Sequence, residues 1–191
     1  MSMRRAGVVI AFGLALFACG LPRDSAPRQI ADDNVPFELL GPSTTTPGNN
    51  VSGGQPVRLY FLDGTQLRSV NRSLPNRDPQ DVLNELVKGV NDKDPAGVTT
   101  AIPKGTQIVG VARDGTTLVV TLNNAFLTIA GAEQKNAFGQ LVYTATDLDV
   151  SGVRFRVVDA SGTEQDVQPA TDVGQKQGPL TRLDFLSLQP K

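Results

Sequence analysis

Asp78-Pro79-Gln80-Asp81-Val82-Leu83-Asn84-Glu85-Leu86-Val87-Lys88-Gly89 carries every signal of a short amphipathic helix. Asp78 can cap it, and Pro79 suits the first helical position. Val82, Leu83, Leu86 and Val87 share one face, and Gly89 terminates it. On its N-terminal side, Val57-Arg58-Leu59-Tyr60-Phe61-Leu62 alternates as a strand. Asp63-Gly64 turns the chain, and Leu67 to Arg72 follows as a second strand, making a hairpin. On its C-terminal side, residues 91–105 read as a loop rich in Asp, Pro and Gly. Gln107 to Ala112 and Thr117 to Leu122 flank Arg113-Asp114-Gly115-Thr116, a second hairpin. Ala132 to Leu148 reads as a helix with Phe138, Leu141, Val142 and Ala145 inward. Val153 to Val158 alternates as a strand, and Asp159-Ala160-Ser161-Gly162 turns it toward residues 164–167. The order β-β-α-β-β-α-β-β predicts a single α+β domain, with a mixed or antiparallel sheet and two helices on one face.

Upstream of this domain the chain changes character. Arg4 and Arg5 precede an uncharged run of 12 residues, Ala6 to Phe17. That run is too short to span a bilayer, which needs about 20 apolar residues, but it suits the core of a signal peptide. The only cysteine, Cys19, follows directly in Leu16-Phe17-Ala18-Cys19, an order that resembles the bacterial lipobox. The expectation is a signal peptide over residues 1–18 and a lipid on Cys19, holding the protein at the extracytoplasmic face of the cell membrane. Two acyl chains suffice for stable anchoring. With Cys19 acylated no disulfide is possible, so the domain must rest on its core. Residues 19–55 read as a tether. Pro22, Pro27, Pro36, Pro42 and Pro47 interrupt any helix, and the Ser/Thr/Gly composition is that of a linker. Val35-Pro36-Phe37-Glu38-Leu39-Leu40 is too apolar for a pure spacer and is expected to dock on the domain or on a partner. Residues 56–191 form the domain.

Composition narrows the chemistry. There is no histidine, which removes Ser-His-Asp and Cys-His triads and His-ligated zinc. A net charge of −1 gives no global field for nucleic acid, and no Trp is present for a stacking platform. Ser151 and Ser161 sit in turns without a nucleophile elbow. The loop Asn91 to Gly97 looks superficially like a calcium loop, but the twelfth position from Asp92 is Pro103 and Lys93 has the wrong charge. Asp147 and Asp149, at i and i+2, read as surface charges. No catalytic residue, metal or cofactor is expected.

The series of segments resembles the GerMN domain, the sporulation and spore germination module. The resemblance runs through about residues 56–160. It is carried by Val57 to Phe61 with Asp63-Gly64; by Val82 to Gly89; by Thr99-Thr100-Ala101-Ile102-Pro103-Lys104-Gly105-Thr106; by the hairpin ending in Thr121-Leu122-Asn123; and by Gln140-Leu141-Val142-Tyr143-Thr144-Ala145-Thr146. With the lipobox, the chain is similar to small GerMN lipoproteins of actinomycete type. The resemblance implies a non-catalytic module of a cell-envelope assembly, sporulation-related or sensor-associated. Its partner would be an envelope protein or further copies of itself. A binding module for a small molecule or a cell-wall fragment is the alternative.

The candidate interaction surface is basic. Arg154 and Arg156 lie on the opposite face of their strand from Val153, Phe155 and Val157. Arg68 and Arg72 are in phase with each other, and Arg58 alternates with apolar neighbours. If these strands share a sheet, its helix-free face carries an arginine cluster suited to an acidic protein segment or an anionic envelope polymer.

Overall fold

A computed structural model describes residues 54–191 of the 191-residue chain. The expected signal segment, Cys19, the apolar patch at 35–40 and all but the last two residues of the tether lie outside the described residues.

Strands β1 (Gln55–Asp63) and β2 (Gln66–Leu74) form the first antiparallel hairpin, with Val57 opposite Arg72 and Leu59 opposite Val70. Helix α1 (Pro79–Val87) follows. The Asp78 carboxylate accepts from the Gln80 N–H, and the chain leaves the helix through Gly89 at φ +86. That left-handed conformation strains any residue with a Cβ, so the terminating glycine is required there. A two-residue strand, β3 (Val98–Thr99), then pairs with the end of β1, inside a stretch whose composition reads as loop. Strands β4 (Ile108–Asp114) and β5 (Thr117–Asn123) make the second hairpin. A 3₁₀ turn (Asn124–Thr128) leads into helix α2 (Gly131–Ala145). The helix carries the chain across to β6 (Gly152–Val158), which pairs parallel to β5. β7 (Glu164–Asp166) returns antiparallel to β6. A small hairpin, β8 (Ala170–Thr171) with β9 (Gly174–Gln175), and a 3₁₀ segment (Arg182–Leu188) complete the described chain.

The fold is α+β with mixed and antiparallel pairing; the eight expected elements occur in the expected order, and β3, the β8-β9 hairpin and two 3₁₀ segments are added to them. The strands do not share one ladder. They divide into β2-β1-β3, β4-β5-β6-β7 and β8-β9. Helix α2 packs into both larger groups. Phe138 stacks tilted against Phe126 and Phe155, with ring centroids 4.7 and 4.8 Å apart. Further along the same helix, Gln140 and Thr144 meet the edge of β1 that β3 leaves unpaired at Tyr60. The Tyr60 N–H donates to Thr144 Oγ1 at 3.1 Å, and Gln140 Nε2 donates to the Tyr60 carbonyl at 3.0 Å. Gln140 Oε1 in turn accepts from the Ala101 N–H at 2.8 Å. A fully buried glutamine thus does for β1 what a neighbouring strand's peptide group would do. Without it, buried backbone groups would lose partners at a cost of about 1–3 kcal/mol each. The second half of β1 is covered on both faces as a result, and Leu59, Tyr60, Phe61 and Leu62 are all buried.

The C-terminal tail belongs to the core. Leu180 and Val153 exchange both backbone hydrogen bonds, and Leu180, Phe185 and Leu188 are buried. The tail approaches α2 closely at Gly139, where a Cβ would lie 2.4 Å from Leu188 Cδ1 and 3.5 Å from the Phe185 ring. A glycine in mid-helix is otherwise unfavourable. Here its missing side chain is the space that Leu188 fills.

Candidate docking surface

The five arginines expected on one helix-free face do not form one. Arg58 stands on β1 and Arg68 and Arg72 on β2, whereas Arg154 and Arg156 belong to the other ladder. The expectation assumed a shared sheet, and the division into ladders removes it. Pairing register also splits the first three. Arg68 lies opposite Phe61 and Arg72 opposite Val57, on one face, while Arg58 lies opposite Asn71 on the other.

Arg72 is not a surface residue at all. Its side chain is 8% exposed, and its Nη2 reaches Asp94 Oδ2 at 2.5 Å and the Gly89 carbonyl at 2.8 Å. Nη1 donates to Glu85 Oε1 at 2.8 Å, and the guanidinium lies 5.2 Å from the Phe61 ring centroid. Asp94, from the loop read as a false calcium site, is 3% exposed and also accepts from the Asn91 N–H. Burial pushes the Glu85 carboxyl up, but hydrogen bonds from Lys88 and Arg72 outweigh it and hold the group below its ordinary range. Arg68 makes an exposed pair with Asp63. Arg156 is matched by Asp166 and Glu164 on the neighbouring β7, and the pairing with Asp166 raises its pKa. Arg154 shares that outer face and has no hydrogen-bond or ion-pair partner among the described residues.

A different arginine cluster forms at the C-terminal end of α2. Asp147, read from sequence as a surface charge, is its centre and is only 18% exposed. Arg182, from the tail, pairs with Asp147 Oδ1. It also donates to Thr146 Oγ1 at 2.7 Å and to the Tyr143 carbonyl at 3.0 Å. Its guanidinium lies 5.5 Å from the Tyr60 ring and 5.1 Å from the Tyr143 ring, which form two aromatic walls. Tyr60 Oη donates to Asp147 Oδ2 at 3.2 Å, and Arg58 approaches the same oxygen at 3.6 Å. Tyr60 first, and then the Asp147 carboxylate, hold the Arg58 guanidinium above its ordinary pKa. Arg77 donates to the Asp147 carbonyl at 3.0 Å, and Arg113 donates to the Leu148 carbonyl at 2.9 Å. Just beyond, Asp149 takes φ +58 and turns the chain away, so Asp147 and Asp149 are not a facing pair.

The local rule is the helix terminus. The carbonyls at and just past the end of α2 stand at the negative end of its dipole, and guanidinium groups gather there, with Arg182 on Tyr143, Arg77 on Asp147 and Arg113 on Leu148. Two of them, Arg58 and Arg182, share the Asp147 carboxylate, and Arg77 and Arg113 bond the adjacent backbone carbonyls. Asp147 cannot neutralise Arg58, Arg77, Arg113 and Arg182 together, so positive charge is left over. It lies where Arg58 is 54% and Arg182 38% exposed. Of the predicted site residues only Arg58 is in this cluster. Arg77, Arg113 and Arg182 come from a loop, a strand end and the tail, and no periodicity connects them. Among the described residues there is no group of three or more metal-ligating side chains, and no helix is long and apolar enough to cross a membrane.

A family model described as sporulation and spore germination matches residues 58–162, more than half of the chain. No curated protein matches the chain. Among solved structures, the chain resembles the first GerMN domain of the sporulation protein GerM from Bacillus subtilis. There the TM-score is 0.54 at 20% identity, covering 68% of this chain and 99% of that one. The tandem GerMN domains of the same protein match with a TM-score of 0.48 at 18% identity, over 72% of this chain. The chain spans 50% of the length of that tandem structure.

Proposed function

This chain belongs to the sporulation and spore germination family, and from that premise we propose that it is a non-catalytic docking component of a cell-envelope assembly. Its Cys19 carries the lipid that holds it outside the cell membrane, and its GerMN domain binds an anionic partner. The observation that carries the docking reading is the unbalanced arginine cluster around Asp147. Planar guanidinium groups held at a helix terminus suit carboxylates and phosphates, which they can contact in a bidentate manner. The sequence around Cys19 supports the anchor.

The test is in-cell crosslinking of the full-length protein, with crosslinked sites read by mass spectrometry. Wild type is expected to give crosslinks that map around Arg58 and Arg77. Arg58→Gln with Arg77→Gln should lose them at an unchanged melting temperature. Crosslinks that persist in the double variant would remove the cluster from the docking role. Cys19→Ala should release the protein from the membrane fraction; continued sedimentation with membranes would refute the anchor separately.

A further inference from the structure

Between α1 and the outer edge of β4 runs a groove of about 830 Å³, open along one side. Strand β4 is the last in the order β4-β5-β6-β7, so β5 satisfies one of its edges, and the first two residues of the strand, Ile108 and Val109, line this groove. A helix side chain already uses that edge, since Gln80 Nε2 donates to the Ile108 carbonyl at 3.3 Å. Leu74, Val87 and Ile108 give the groove apolar walls. Thr106 also lines it. This residue ends the Ala101-Ile102-Pro103-Lys104-Gly105-Thr106 stretch that marks the domain in sequence. It is 5% exposed, and its Oγ1 is buried with no hydrogen-bond partner among the described residues. Asp81, in the first turn of α1, is exposed on the helical wall and pairs with no cation among the described residues.

We propose that this groove is a docking site for an extended peptide segment of a partner protein, which adds to β4 as a further strand. An unpaired strand edge beside a helix is the geometry in which a main chain, rather than a small molecule, finds the most hydrogen bonds. Alternate side chains of the peptide lie against Leu74, Val87 and Ile108. One peptide carbonyl accepts from the Thr106 hydroxyl, which otherwise stays buried and unsatisfied at a cost to the free domain. A lysine or arginine on the peptide's outward side meets Asp81. The site therefore takes the opposite charge from the arginine cluster, and it does not rest on the docking role of that cluster.

The experiment is an NMR titration of the full chain with a capped hexapeptide of alternating valine and lysine as the probe. Saturable shifts confined to α1 and residues 106–112, with slowed amide exchange along β4, are expected. Thr106→Val keeps the shape of the side chain and removes the orphaned hydroxyl. Its melting temperature should equal or exceed that of wild type, while its affinity falls about fivefold, the loss of one neutral hydrogen bond. Exchanging lysine for glutamate in the peptide, or Asp81→Asn in the protein, should also weaken binding; Asp81 is exposed, so that variant folds. No saturable shift at millimolar peptide, shifts located elsewhere, or Thr106→Val binding as tightly as wild type would overturn the assignment. A lower melting temperature for Thr106→Val would overturn it too, because the hydroxyl would then serve the fold.

Discussion

Arg72 and Arg182 both lie over aromatic rings and both bind carboxylates, but their surroundings balance charge in opposite directions. Around Arg72, one guanidinium serves Glu85, Asp94 and the Gly89 carbonyl, and all of it is nearly closed to solvent. Around Asp147, one carboxylate serves Arg58 and Arg182, and two further arginines sit on adjacent carbonyls. The first group is complete in itself and ties β2 to α1 and to the loop at Asn91 to Gly97. The second ties the tail to α2 and still presents charge to a partner. What separates structural glue from a docking surface is the ratio of cations to anions at each centre, not the arginines themselves.

The largest effect is expected at the closed centre. Arg72→Met leaves Asp94 charged, buried and held by one backbone N–H, and should lower stability by about 3–5 kcal/mol in urea unfolding. Adding Asp94→Asn should recover part of that loss, since the bare charge is then gone. A single-variant cost below about 1 kcal/mol, as for an exposed pair, would erase the contrast between the two centres. Arg182→Ala ranks next. It removes three hydrogen-bonding contacts and two cation–π contacts from a partly exposed group, so about 1–2 kcal/mol is expected. Amide exchange should quicken in residues 180–188 more than in β1; uniform quickening would mean that the tail is not a separable unit.

Acid sharpens the same comparison. Burial pushes the Asp184 carboxyl up, but hydrogen bonds from Lys176 and the Thr181 N–H outweigh it and leave it lowered. Burial likewise pushes the Asp172 carboxyl up, but hydrogen bonds from Ser187 and Lys135 outweigh it and leave it lowered. Both groups pin the tail. A carboxyl lowered in the folded state contributes stability that is present above its unfolded pKa, near 4, and is lost as pH falls through the folded value. Melting temperature should therefore be level above about pH 5 and decline below pH 4. Asp184→Asn should show a shallower decline, and an identical profile would assign the acid sensitivity elsewhere. The smallest stability effect belongs to Arg58→Gln with Arg77→Gln, within about 0.5 kcal/mol by thermal melting, as for exposed positions outside the core. That pair sharpens the contrast most, because it removes charge from the open centre without opening the closed one.

The hairpins and both helices were legible because their signals are local. Asp63-Gly64, Asp114-Gly115, the Asp78-Pro79 start and the Gly89 stop each act within a few residues. The C-terminal tail was not legible. Leu180, Phe185 and Leu188 carry no strand alternation or helical period; Leu180 is held by its pairing with Val153, and Leu188 reaches α2 because Gly139 leaves room for it. Gln140 and Thr144 look like ordinary helix polar residues. Their role exists only because an unpaired strand edge arrives from residue 60.

The sequence by itself determined the element order, the α+β class and the family, because alternation, capping and turn chemistry are set by near neighbours. It also determined the absence of histidine chemistry. Only the tertiary structure decided which arginine is buried, which is matched and which is left over. Those outcomes depend on contacts such as Arg58 with Asp147 and Arg182 with Tyr60. The partners in them lie on different elements, far apart in the chain, and ion pairing depends on distance in space, which the spacing of residues along a strand does not contain.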